Sequence, residues 1–256
     1  MKKFFFIMVA AFFLVNAAWV ANVYGAAYIE AEGIVYYEEG MNLNQMRRIA
    51  IMDAYRYLAE QVDTLHITSE SSVKNLRELD ETINAKVTAA LRGAKVTSVN
   101  REVDGSFHAI VRLPLYGSGQ SLAAAVLKEN TVVEDYPKPK FTNIRSEINY
   151  TGLIIDCRGL KLEQAITPLI KSNDGTEIYA YKNVGYQATV ESGMVEYSSS
   201  MDSPRAGEMP LIVKALKISG SCDVIISSEN ADKILAANSS AKFLEHRLVV
   251  LVGDEL

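Results

Sequence analysis

Apolar and polar residues alternate most clearly at 29–37, where Ile29, Ala31, Val35 and Tyr37 fall on one side and Glu30 and Glu32 on the other. A period of two marks a strand with one face packed and one face wet, so a strand opens the folded part. The period then changes. Ala50, Ala54, Leu58 and Val62 recur every fourth residue, with Ile51 and Tyr55 widening the stripe. This predicts a long helix, capped by Asn42 or Asn44, whose small side chains approach a flat surface closely. Leu79, Ile83, Val87 and Leu91 predict a second helix over 80–92, with Asp80 and Glu81 in its first turn and Gly93 at its end. Two strands, 95–103 and 106–116, are joined at Asp104-Gly105, a strong hairpin signal. Phe107, Ala109, Val111, Leu113 and Leu115 point one way, His108 and Arg112 the other. The result is an α+β N-terminal domain over residues 27–116, two helices on an antiparallel sheet.

Residues 117–145 read as a linker. Gly117-Ser118-Gly119-Gln120-Ser121 breaks the pattern as a flexible joint, a short helix follows over 122–129, and Pro137-Lys138-Pro139-Lys140 is too stiff to continue it. Residues 146–256 carry continuous apolar runs, Leu153-Ile154-Ile155, Leu211-Ile212-Val213, Val224-Ile225-Ile226 and Leu248 through Val252. Such runs predict strands covered on both faces, hence a C-terminal α/β-type domain with a mixed sheet. Asn173-Asp174-Gly175 predicts a hairpin between 166–171 and 176–181. Ser227 or Ser228 caps a helix running through Ala236, and its spacing between strands predicts a β-α-β crossover. The stretch 198–208, with its Ser, Pro and Gly, predicts a mobile surface loop.

The first domain resembles a known family. An opening strand, then Arg47-Arg48-Ile49-Ala50-Ile51-Met52-Asp53-Ala54 running into Tyr55-Arg56-Tyr57-Leu58-Ala59-Glu60-Gln61-Val62, then Val73-Lys74-Asn75 and a closing hairpin, resembles the N-terminal domain of flagellar assembly protein T. The same pattern occurs in the small outer-membrane surface lipoproteins of the Lpp-twenty group. The resemblance covers residues 27–116 and implies a non-enzymatic component of the cell envelope or flagellar basal body. The chain departs from it twice: the lipobox cysteine is missing, and the later domains of the flagellar protein have no recognisable counterpart downstream. The resemblance therefore implies a fold and a general role but no functional residue. Asp53, six positions after Arg47, is expected to reach Arg56 or Tyr57 in a structural contact.

The N-terminus places the protein. Lys2 and Lys3, an apolar stretch over 4–15 and the small-residue end Val23-Tyr24-Gly25 read as a cleaved signal peptide over residues 1–25, cut near Gly25 and Ala26. The first cysteine is Cys157, so the mature form is expected to be soluble, without a lipid anchor, and periplasmic or secreted from a bacterium. An uncleaved anchor over 4–23 would have to tolerate Asn16 and Asn22. The tail Gly253-Asp254-Glu255-Leu256 departs from a luminal retention signal at its first residue.

Charge and chemistry narrow the job. With 26 Lys and Arg against 31 Asp and Glu, and a more acidic mature chain once Lys2 and Lys3 are gone, a nucleic-acid surface is not expected. A 49% hydrophobic composition with 22% charge excludes global disorder. Cys157 and Cys222 share one domain in an oxidising compartment and sit beside apolar strands. They form a disulfide if those strands run antiparallel as neighbours; otherwise they are two buried thiols. His66, His108 and His246 stand singly, and no Gly-rich loop leads from a strand into a helix, so no metal, cofactor or catalytic residue is expected. Glu38-Glu39 and Asp80-Glu81 read as a turn and a helix start. The expected function is a non-catalytic envelope protein, a structural or assembly factor that binds periplasmic or outer-membrane components such as basal-body proteins. The alternatives are a small-ligand or glycan-binding module and a hydrolase with a dispersed site.

Overall fold

The computed structural model describes residues 28–37, 40–117, 119–130, 132–140 and 149–254. Its architecture is α+β. The N-terminal half begins with β1 (Tyr28–Val35), followed by α1 (Leu43–Thr64), the short β2 (His66–Thr68) and β3 (Ser71–Ser72), α2 (Val73–Leu79), α3 (Glu81–Arg92), β4 (Lys95–Arg101) and β5 (Phe107–Pro114). The sheet order is β1-β5-β4, antiparallel throughout, with Tyr28 opposite Pro114 and Val35 opposite Phe107.

The alternation seen in the sequence is the burial pattern of β1: Ala31, Gly33 and Val35 are buried, and Glu30, Glu32 and Ile34 are exposed. Tyr37 lies beyond the strand and is exposed. The starting residue of α1 is fixed by Asn42, whose Oδ1 accepts the Gln45 N–H at 2.9 Å while Gln45 Oε1 accepts the Asn42 N–H at 3.2 Å. Met46, Ala50, Ala54, Leu58 and Val62 then form one fully buried stripe. Asp80 Oδ1 accepts the N–H groups of Thr82 and Ile83 and starts α3, and Asp104 Oδ1 accepts the N–H of Ser106 in the turn before β5. Helix α2 was not expected: it is too short for an apolar period to declare itself, and its signal is the cap, Ser72 Oγ accepting the Asn75 N–H.

The stretch read as a linker is built into the structure. Helix α4 (Leu122–Val126) is shorter than expected, and its Leu122, Ala123 and Val126 are buried in the N-terminal core. Farther on, Lys140 N–H donates to Asp232 Oδ1 at 2.7 Å, which ties this segment to the C-terminal half.

The C-terminal half runs β6 (Leu153–Asp156), β7 (Ile170–Ser172), β8 (Glu177–Tyr179), α5 (Tyr181–Val184), α6 (Tyr186–Ser192), β9 (Glu196–Ser198), β10 (Leu211–Lys214), β11 (Lys217–Ser219), β12 (Asp223–Ile226), α7 (Ser228–Ala241) and β13 (Val249–Val252). Among the described residues it contains two sheets. One is parallel, in the order β10-β6-β13-β9; the other is mixed, in the order β11-β12-β7-β8. The chain steps between them at Ala215 and Leu216, whose N–H groups donate to Asp156 O and Ile225 O at 2.9 and 2.7 Å. Ile155, Ile170, Val224, Ile226, Ile234, Phe243 and Leu251 pack in one core that both sheets and α7 share.

Three expectations change here. The helix capped by Ser227 connects β12 to β13, which belong to different sheets, so it is not a crossover within one sheet. Spacing alone measures the length of a connection, not the partner of its last strand. Strand β10 is not covered on both faces: Leu211 and Val213 are buried but Ile212 and Lys214 are exposed. The expected surface loop after β9 is only partly one: Ser199, Ser200, Asp202, Pro204, Gly207 and Glu208 are exposed, but Ser203, Arg205 and Ala206 turn inward and are buried.

Candidate interaction surface

The signal peptide and its cleavage point near Gly25 and Ala26 lie outside the described residues, as do Glu38-Glu39 and Glu255-Leu256. Cys157 and Cys222 are free, buried thiols. The condition set for a disulfide is not met, because β6 and β12, the strands beside the two cysteines, lie in different sheets and are not antiparallel neighbours; the arrangement is the alternative, two buried thiols. Burial pushes each thiol up to about 12, with Asp156 adding to the shift at Cys157 and Asp223 at Cys222.

The other polar residues singled out in the sequence serve the fold. Arg56 lies 3.6 Å from Asp53 and 3.1 Å from Glu60, with its guanidinium 4.2 Å from the centre of the Tyr57 ring. His66 Nε2 meets Glu163 at 2.7 Å and links the two halves; His108 Nδ1 meets Glu32 at 2.7 Å across the N-terminal sheet. Among the described residues no group of three or more His, Cys, Asp or Glu side chains could hold a metal ion.

The most distinctive surface is the free edge of β10, and the inward-turning loop positions it. Arg205 is 5% exposed; its Nε donates to Arg247 O at 2.7 Å, its Nη2 to Gly193 O at 3.0 Å and its Nη1 to Ser192 O at 3.2 Å. Thr151 Oγ1 donates to Ala206 O at 2.7 Å and accepts the Met209 N–H at 2.9 Å. The loop rests on Gly152, where a β-carbon would stand 2.6 Å from Ala206 O. The chain is thus held rigidly up to Met209.

Beyond it, among the described residues β10 pairs on one side only. Leu211 N–H donates to Gly152 O at 2.8 Å and Ala215 N–H to Asp156 O at 2.9 Å, so the odd-numbered residues face β6. In a parallel ladder the residues between them direct N–H and C=O away from that neighbour. Ile212 and Lys214 therefore offer a backbone edge that no strand among the described residues pairs with. Its side chains are apolar: Met209 is 57% exposed, Ile212 54% and Leu216 53%. At the neighbouring end of β6, Arg158 grips Asp156 bidentately, Nε to Oδ1 at 2.8 Å and Nη2 to Oδ2 at 2.9 Å. These bonds lower the Asp156 carboxyl to about 2.

The free edges of the N-terminal sheet are guarded differently. Strand β4 carries a register shift between Val96 and Ser98, and the outer face of β1 carries Glu30 and Glu32 in ion pairs with Arg112 and His108. Bulges and charges are the usual protection against unwanted strand addition. Among the described residues the β10 edge has neither a bulge nor an ion pair; its one charge, Lys214, stands beside an apolar row. Leu211-Ile212-Val213 alone could not reveal this, because an apolar run does not say which face is covered. Pro210 just before the run and Lys214 just after it were the available signals of an edge.

Residues 152–255 match the family described as Treponema pallidum Tp0624, second domain. The match spans the half that carries β10 and leaves the N-terminal half outside it. No curated protein matches the chain.

Proposed function

We propose that this chain is an exported, non-catalytic component of the bacterial cell envelope, and that it binds other periplasmic or outer-membrane proteins, those of a flagellar basal body among them. The observation that carries the reading is the β10 edge: outward backbone groups at Ile212 and Lys214 beside exposed Met209, Ile212 and Leu216. An edge of this composition offers what an added strand needs, main-chain hydrogen bonds for affinity and apolar contacts for side-chain selection. The occupant is an extended segment of another envelope protein. Two readings of the sequence support the compartment and the role: the signal-peptide pattern of Lys2, Lys3 and the apolar stretch 4–15, and the resemblance of residues 27–116 to the N-terminal domain of flagellar assembly protein T.

The test is a photo-reactive residue placed at Ile212 in the native host, with Val103, which is fully exposed on the N-terminal hairpin, as the control position. Mapping the cross-linked peptides should give one recurring extended segment at position 212 and none at 103. Adducts that are absent at 212, or that occur equally at both positions, would contradict the reading.

A further inference from the structure

The N-terminal half carries a second feature, on the far side of the molecule's sequence from β10 and independent of it. A half-open groove of about 460 Å³ lies where β1, β4 and β5 meet the segment leading into α4. Tyr28, Lys95, Thr97, Arg112, Tyr116 and Gln120 are among its lining residues. A groove of this volume suits a small molecule.

Its charge arrangement is unusual. Lys95 of β4 is the direct register partner of Arg112 of β5, so two cations face each other across the strands. Like charges in that position repel and cost stability unless an anion lies between them. One carboxylate answers: Glu30, the partner of Arg112 on the other side, is ion-paired with Arg112 Nε. Lys95 has no ion pair among the described residues. This local positive excess occurs in a chain whose acids outnumber its bases, 31 to 26.

We infer that this groove binds a small polar molecule through an oxyanion group, carboxylate or phosphate, held between Lys95 Nζ and the guanidinium of Arg112. Glu30 holds Nε of Arg112 and so fixes the plane of the fork, leaving the Nη groups for the ligand. The neutral surroundings suit a hydroxylated ligand body. Thr97 Oγ1 donates to Ile110 O at 3.3 Å and keeps its lone pairs for a ligand donor, while the Gln120 amide both donates and accepts. The ring of Tyr28, 54% exposed, provides a flat apolar wall.

The test is an amide NMR titration of the mature protein with inorganic phosphate and, separately, with glucuronate, using glucose as the uncharged control. Saturable shifts at the amides of Lys95, Thr97 and Arg112 are expected with at least one anion and not with glucose, and the anion that saturates identifies phosphate or carboxylate as the group. Lys95→Gln, at an exposed position, should keep the folded spectrum and weaken binding about tenfold or more, the usual value of a hydrogen bond to a charged group. Lys217→Gln makes the same charge change on β11 and should leave binding unaltered. Absence of saturable shifts with both anions, unchanged affinity in folded Lys95→Gln, or equal weakening by Lys217→Gln would overturn the inference.

Discussion

Gly33 lies directly beneath Ala54: a β-carbon at Gly33 would stand 2.4 Å from the Ala54 backbone nitrogen, and 2.1 Å from the carbonyl oxygen of Ala50. Strand β1 and helix α1 therefore touch main chain to main chain. The fourfold spacing of alanines on α1 and the glycine in β1 are two sides of one contact. No larger residue fits at Gly33 without moving the helix off the sheet.

Gly33→Ala should destabilise the protein by about 2 kcal/mol, because an inserted methyl group must push two backbones apart. A urea titration should show a lower midpoint with an unchanged slope. An unchanged midpoint would mean that α1 can lift from β1 without cost.

Arg205 holds the loop before β10 by donating to the carbonyls of Arg247, Gly193 and Ser192. Arg205→Ala strands these buried acceptors and should cost about 3 kcal/mol or more. Arg205→Lys should recover only part of this, since a single ammonium cannot reproduce the planar fork. Equal stability of the lysine variant and the wild type would show that the fork geometry is unimportant.

The two thiols give a reactivity and a pH signature. Held up to about 12 by burial, Cys157 and Cys222 should resist thiol reagents at pH 8 in the native protein and both react in denaturant without a reductant. Finding no reactive thiol in denaturant would establish a disulfide. The raised folded values mean that their contribution is fully present below about 9 and is lost as pH climbs toward about 12. Tyr116 and Tyr181, raised from 10.0 to about 12 by burial, act in the same direction above 10. The urea midpoint should fall across this window, and fall less in the Cys157→Ala, Cys222→Ala double variant.

At the acid end the sign reverses. The carboxyl of Asp156 is lowered from 3.8 to about 2, first by the hydrogen bond from Arg158, so its contribution is present above about 4 and lost as pH falls toward 2. In Arg158→Gln, an NMR titration of Asp156 should move back toward 3.8. No movement would assign the depression to another neighbour.

Much of the N-terminal fold was legible because its signals are local. Asn42 caps α1, residues four apart line its buried face, and Asp104-Gly105 turns the hairpin, each within a few residues of what it determines. The C-terminal half was legible as strands but not as sheets. Apolar runs identify β6, β12 and β13 without saying which strand lies beside which, and so the crossover was placed on neighbours that do not exist and the choice between a disulfide and two buried thiols stayed open. The binding features were hidden for the same reason. Ile212 is exposed because β10 is last in its sheet, and Lys95 faces Arg112 because of a register set across the hairpin; both are facts about pairing, not composition.

The central claim, that an extended partner adds to the β10 edge, is tested most directly by Ile212→Pro with the photo-reactive residue moved to Met209. Proline at 212 removes an outward N–H and an apolar side chain but no bond to β6, and the strand preceding it is already extended as proline requires. Circular dichroism and melting should show an intact fold while the cross-linked segment disappears. The same segment captured at undiminished yield by the folded proline variant would contradict the account.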